Sequence, residues 1–258
     1  MNATAITILH RDEHYVGVDK PAGLLMHRTA VDARERRSLL QTLRDQIGHR
    51  VHAVHRLDKG TSGVVVFALH AEAADRLSHA FREDRVDKRY LAVVRGWVPE
   101  QTVVDWPLRD PFDPRATPRH TEARPALTEV QRLAIVELPV AVGRYATARY
   151  SLVVCRPRSG RQHQIRRHLK HLRHPVIGDA NYGDLAHNRF FRETLGVGRL
   201  LLAATAIGFE HPYTREQLRI TAPLDASFRR IIQTLGWPMP DGAGACVGPV
   251  DLDHPRST

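Results

Sequence analysis

The chain has 258 residues but only two cysteines, Cys155 and Cys246. Cys155 sits in an apolar run and Cys246 in a Gly/Pro-rich tail, so a disulfide framework is not expected. No Cys-x-x-Cys pair is present to hold zinc. The opening segment, residues 1–10, has no basic stretch followed by a long apolar run, so no secretory signal is expected. No run of apolar residues approaches the length that spans a bilayer. The expected compartment is therefore the cytoplasm, with no membrane association. The chain also lacks a Walker-type phosphate loop, a Gly-x-Gly-x-x-Gly turn opening a helix, a His-Glu-x-x-His pair and a Gly-x-Ser-x-Gly elbow. Chemistry that depends on a nucleotide cofactor or a metal has little support, and neither is expected.

What the chain has in excess is positive charge. Lys and Arg total 38 against 28 Asp and Glu, a net charge of +10, and the sequence pI is about 10.3. A field of that sign attracts polyanions, of which nucleic acid is the usual one. Most of the cations are Arg, whose flat fork suits phosphates and stacked bases. Basicity serving solubility alone would give the same count.

Apolar periodicity places the elements. Tyr15–Val18 is a short strand that runs into the turn signal Asp19-Lys20-Pro21-Ala22-Gly23. Leu39, Leu40, Leu43 and Ile47 line one helical face, with Ser38 and Gln41 as a capping box and Gly48 as the stop. Val64–Leu69 is a continuous apolar run of buried-strand length. Ala73, Ala74, Leu77, Ala80 and Phe81 recur at helical spacing. Tyr90–Val94 and Tyr150–Cys155 are strands, and Leu200–Phe209 is a further apolar run. Residues 109–125 read as a long basic loop, and 238–258 as a poorly ordered tail. Strands and helices alternate without a regular βαβ rhythm, which predicts an α+β fold with a mixed or antiparallel sheet.

Three segments could carry chemistry. His55-Arg56-Leu57-Asp58-Lys59-Gly60-Thr61-Ser62-Gly63 leads directly into the buried strand. Loops at strand ends are where a rigid sheet holds reactive groups. A carboxylate flanked by Arg56 and Lys59 can serve as nucleophile or general base. Equally, Asp58 and Thr61 could do no more than cap a turn. The second segment, Ser159 to His174, places Ile165, Leu169 and Leu172 on one face of an amphipathic helix. Arg166 falls at the border of that stripe, and Arg167, Lys170 and His171 form a basic outer face. His168, His171 and His174 rotate around the helix and make a poor metal set. The third, Lys88-Arg89-Tyr90, puts two cations before an aromatic ring that could stack on a base.

Together these segments resemble the RluA-type pseudouridine synthases. The resemblance rests on Lys20-Pro21-Ala22-Gly23-Leu24-Leu25-Met26-His27, His55-Arg56-Leu57-Asp58 with Thr61-Ser62-Gly63, and Lys88 with Tyr90 and Gly96. It continues through Gly160-Arg161-Gln162-His163-Gln164-Ile165-Arg166 and Gly178-Asp179 with Tyr182-Gly183. These occur in the family's order from about Tyr15 to Pro223. Three further segments look like its TruC branch, which modifies uridine 65 of certain tRNAs. They are Pro139 to Tyr145, Arg166 to Pro175, and Gly183-Asp184-Leu185 with Asn188-Arg189. The match begins almost at the N-terminus, leaving no room for the S4-like domain of several ribosomal-RNA members.

The resemblance implies a catalytic domain over residues 1–237 with the pseudouridine synthase fold, a mostly antiparallel mixed sheet flanked by helices, and a cleft between two lobes. It implies that Asp58 is the essential carboxylate, that Tyr90 stacks on the uracil, and that Arg166 pairs with Asp58. Arg56 would fill the space left by a flipped nucleotide. Ile165 and Leu202 would wall the pocket, and His55, Lys88, Arg161, His163 and Gln164 would contact RNA. The implied partner is tRNA, bound by a monomer without cofactor or metal. Two residues depart from the pattern: Ala203 stands where the family usually has His, and Ser159 where Thr is common. A synthase acting on ribosomal RNA or another tRNA position, and a non-catalytic RNA-binding protein, remain open on residues alone.

Overall fold

The computed structural model describes residues 5–27, 37–109 and 122–240. Most of the basic loop expected over 109–125 and of the tail expected over 238–258 lies outside these residues. A single ten-stranded sheet forms the frame. Its strands are β1 Thr7–Arg11, β2 Tyr15–Lys20, β3 His52–Ala53, β4 Ser62–Ala68, β5 Asp87–Arg95, β6 Gln101–Asp105, β7 Leu127–Leu138, β8 Ala148–Pro157, β9 Leu202–Glu210 and β10 Gln217–Thr221. The order is β1-β2-β4-β9-β5-β8-β7-β6, with β3 beside β4 and β10 beside β9. Every pairing is antiparallel except β4–β9, which is parallel. The helices are α1 Leu39–Ile47, α2 Ala71–Arg82, α3 Gln164–His171, α4 Leu185–Glu193 and α5 Ala226–Thr234. This is the α+β fold with a mixed, mostly antiparallel sheet that the sequence predicts.

The parallel seam is short. It consists of Ser62 opposite Ala203 and Gly63 opposite Ala204. Gly63 has a φ of 107°, and a Cβ there would lie 2.1 Å from the Ala204 carbonyl oxygen. Only glycine lets the two strands approach so closely in that conformation. On one side of the seam α1 and α2 pack with β2 and β4 around Val16, Val65, Phe67, Leu43 and Leu77. On the other, α4 and α5 pack Phe191, Phe228, Ile231 and Ile232 against Tyr150 and Leu152 of β8. The apolar side of α3, Ile165 and Leu169, joins Ala92, Val94 and Val153 in a third cluster.

The helix caps follow local chemistry. Ser38 accepts from the Gln41 N–H, while Gly48 takes the left-handed conformation that closes α1. The reciprocal half of the expected capping box is replaced by a contact of 3.3 Å between the two side chains. Several elements are not expected from the sequence. β7 has half-exposed, charge-bearing residues, and its alternation is broken by a register shift between Arg132 and Ala134. Such a bulge disrupts the period of two that marks a strand. α5 carries a signal that could have found it: Asp225 caps the Phe228 N–H, and Phe228, Ile231 and Ile232 recur at i, i+3 and i+4.

Candidate active site

Asp58 lies in the loop between β3 and β4, on one wall of a cavity of about 690 Å³. Its backbone carbonyl accepts from the Thr61 N–H at 3.1 Å, so the turn is closed by main chain. The carboxylate is left to point at α3. This separates the two sequence readings of Asp58, because a capping role would occupy the side chain.

The loop is pinned from below by Lys20. Its ammonium is fully buried and donates to the carbonyls of Pro21, Lys59 and Thr61 at 3.0, 3.0 and 2.7 Å. Three N–H donors meet three acceptors, which satisfies the group. Burial pushes its pKa down to about 7, against the opposing pull of the Asp58 charge. Lys20 opens the first of the family-like segments, but nothing in its local sequence assigns it this role.

Arg166 is only 8 % exposed, deeper than its border position predicts. Its Nη1 donates to Asp58 Oδ2 at 2.9 Å. Its Nε and Nη2 form a two-pronged bond to Asp179 at 2.7 and 2.8 Å. A planar fork held on one edge by a carboxylate fixes the direction of its remaining donor. Burial works against the Arg166 charge, but the two carboxylates outweigh it and raise its pKa further. Burial would likewise raise the Asp179 pKa. The Arg166 fork and the N–H groups of Tyr182 and Asn181 hold it below the usual carboxylate range. Asp179 thus supports the Arg166–Asp58 contact, a place that motif order signals but local sequence does not explain, since it lies 121 residues from Asp58 in the chain.

His163 stands in the left-handed conformation at the N-cap of α3, with φ of 54°. Such backbone is uncommon outside glycine and clusters at functional sites. Its Nε2 is 3.8 Å from Asp58 and its Nδ1 is 3.1 Å from the Tyr182 hydroxyl. Burial lowers its pKa, partly countered by Asp58. The Tyr182 ring in turn covers the Arg166 guanidinium at 5.1 Å.

Tyr90 comes from β5, where a register shift between Arg89 and Tyr90 redirects the chain as it enters the cavity wall. Burial, and then the Asp58 charge, raise the Tyr90 pKa and keep the phenol protonated. Ile165 and Leu202 are buried apolar lining, as expected. Arg56 is exposed at the rim. Lys88 reaches the Ser159 carbonyl at 3.2 Å, and its pKa is lowered by burial.

The remaining expected contacts divide. Arg161 lines the cavity while its Nε holds the Pro125 carbonyl at 3.1 Å. Gln164 also lines it, but its amide is engaged by Ser159, the Arg161 N–H, Leu127 and Thr128, which fixes the entry to α3. His55 accepts from the Val66 N–H at 2.9 Å and stacks on Phe81. Burial pushes its pKa down to about 3, so it is a neutral brace of the loop. Ala203 is buried in the cluster beneath α4 and α5 and is not among the cavity-lining residues. His168, His171 and His174 bind Thr128, stack on Trp106 and meet the Arg95 carbonyl respectively. No metal-ligating group occurs among the described residues.

The cavity carries six cations, Arg56, Arg82, Lys88, Arg124, Arg161 and Arg166, against Asp58 and Asp84. A basic, partly apolar pocket with one arginine-oriented carboxylate and one tyrosine suits a base flipped out of a nucleic-acid strand. Such a lining is chemically suited to a nucleotide base and its phosphates. The RNA pseudouridylate synthase model matches residues 14–171, which include Asp58, Tyr90 and Arg166. The chain is 46 % identical to tRNA pseudouridine synthase C of Vibrio cholerae, over 90 % of this chain and 96 % of that protein. It is 45 % identical to tRNA pseudouridine synthase C of Haemophilus influenzae, over 90 % and 98 %. The fold matches human RNA Pseudouridylate Synthase Domain Containing 4 with a TM-score of 0.67 at 26 % identity, covering 91 % of this chain and 95 % of that one. The chain belongs to the RNA pseudouridylate synthase family.

Proposed function

We propose that the protein isomerises uridine to pseudouridine in tRNA, at uridine 65, as a cytoplasmic monomer without a cofactor. The observation that carries the reading is the chain Asp58–Arg166–Asp179, in which a buried fork aims a carboxylate into a basic cavity. The tRNA substrate is supported by the names of the relatives above. No described helix is long and apolar enough to cross a membrane.

The reaction breaks the N1–C1′ bond, turns the uracil and joins C5 to C1′; the C5 proton is lost and N1 gains one. Electrons and atoms balance within the substrate, so no oxidant or energy source is required. Asp58 acts at the ribose, either on C1′ or on a sugar proton, and Arg166 keeps it charged and oriented. The protonated Tyr90 stacks on the base and can donate a hydrogen bond. Ile165 and Leu202 exclude water behind the ring. Arg56 takes the place of the flipped nucleotide, and the cations of the rim meet phosphates.

The test is pseudouridine mapping of total RNA with and without the gene, paired with purified Asp58→Asn enzyme. A single tRNA site lost on deletion, and a variant that binds tRNA but forms no product, are expected. Product at the normal rate from Asp58→Asn would remove Asp58 from the mechanism. Loss confined to ribosomal RNA would replace the substrate.

A further inference from the structure

Three segments separated in the chain meet at one place outside the catalytic cleft. Arg144 and Tyr145, Lys170 and Arg173, and Gly183 and Asp184 line a second cavity of about 420 Å³, together with Arg95. It lies at the C-terminal end of α3, whose N-terminal turn holds Arg166. A helix rises about 1.5 Å per residue, so Lys170 is about 6 Å along the axis from Arg166, and Arg173 follows just past the helix end. The two sites share a rigid link on the other side as well. Asp179 grips Arg166 and the N–H groups of Asn181 and Tyr182, and the chain then runs directly into Gly183 and Asp184. The Gly183 N–H donates to the Asp179 carbonyl at 3.1 Å, and a Cβ on Gly183 would lie 2.2 Å from that oxygen, so only glycine fits this close approach.

We propose that this second pocket binds the phosphodiester backbone of the same RNA whose uridine enters the Asp58 cleft; the inference rests on the RNA-modifying reading given above. Four cations face one carboxylate, and Asp184 is already committed to Arg95 at 2.8 Å. Arg144, Lys170 and Arg173 are exposed and have no carboxylate partner among the described residues. Like charges gathered without counter-charge repel one another, and an anion placed between them relieves that cost. Arg173 adds a conformational cost of its own. It has a φ of 64° directly after α3, a position where glycine is favoured. Tyr145 is 50 % exposed, with the Arg144 guanidinium 4.7 Å above its ring, a surface on which a sugar or base can rest. The strip continues past Arg95 to Arg149, which lies 4.2 Å over the exposed Trp97. Guanidinium groups and rings strung along one strip, with Arg149 at its far end paired with Glu137 at 3.2 Å, fit a nucleic-acid backbone better than a compact anion.

The test compares wild type with Arg144→Gln/Lys170→Gln/Arg173→Gln, using full-length tRNA and, as a ligand confined to the cleft, uridine 5′-monophosphate. For tRNA the variant should show KM raised about tenfold with kcat unchanged, and a log–log salt dependence of binding shallower by roughly two to three. Uridine 5′-monophosphate, which can occupy the Asp58 cleft but is too small to reach the second pocket at the same time, should inhibit both enzymes equally. Equal tRNA affinity and equal salt slopes would overturn the pocket. Direct binding keeps this separate from the reaction itself. If wild type forms no pseudouridine yet the variant still loses tRNA affinity and salt slope, the pocket stands and the functional reading falls. Arg173→Gly guards against a folding artefact. It should melt higher, because the left-handed strain is removed, while its salt slope falls by about one.

Discussion

The two ends of α3 carry similar residues and do opposite things. At its start, Arg166 is buried and held by two carboxylates, one of which also takes two backbone N–H groups. At its end, Lys170 and Arg173 are exposed, with no carboxylate partner among the described residues. A buried cation must be paired, and once paired it becomes a rigid pointer. An exposed, unpaired cation costs little by itself and remains available to a polyanion. Charge count alone therefore does not distinguish machinery from recruitment; burial and pairing do.

The contrast breaks most severely at Asp179. Asp179→Ala leaves Arg166 buried with one partner, and should destabilise the protein by about 3–5 kcal/mol in urea unfolding. Any folded fraction should lose turnover through kcat, because Asp58 loses its oriented partner. If stability and kcat both stay at wild-type values, Asp179 is not the support of the site.

A smaller effect is the pH signature of the buried loop. His55 is held neutral, its pKa falling from an ordinary 6.5 to about 3. Above pH 6.5 neither folded nor unfolded protein binds this proton. Below it the unfolded chain does, so stability is lost as pH falls towards 3, at up to about 1.4 kcal/mol per unit. Between pH 6.5 and 5 the loss should reach about 2 kcal/mol, and His55→Gln should flatten that slope. Asp179, with its lowered pKa, adds a further loss only below the ordinary carboxylate range, near pH 4. An unchanged slope in His55→Gln would show that the ring is free to charge in the folded state.

The smallest effect tests the other end of the helix. Lys170→Ala should leave stability within about 0.5 kcal/mol of wild type. A larger loss would mean that Lys170 is structural and that the two ends of α3 do not differ as described.

Much of the site is legible in the residues themselves. The motif around Asp58, the aromatic at Tyr90 and the amphipathic α3 all carry local signals, and the fold brings them to one cavity. Lys20 and Asp179 stand out in the sequence only as motif members, because Lys20 binds carbonyls 39 and 41 residues away and the Arg166 that Asp179 holds gains its meaning only from Asp58, 108 residues distant. β6 and β7 are hard to find because a short edge strand and a half-exposed strand broken by a bulge carry weak periodicity.

The sequence by itself determined α1 to α3 and the strands β2, β4, β5, β8 and β9, the excess of positive charge, the candidate carboxylate and the family. Each is written in spacing, composition or motif order. Only the tertiary structure decided which cations are buried and which exposed, that Lys20 clamps the Asp58 loop, and that Asp179 steers Arg166. It also decided that three distant segments close a second basic pocket. The reason is that pairing and burial depend on contacts between elements separated in the chain, by 39 to 108 residues for Lys20–Lys59 and Asp58–Arg166, and the parallel seam at Gly63 and Ala204 is where the chain brings its two halves together.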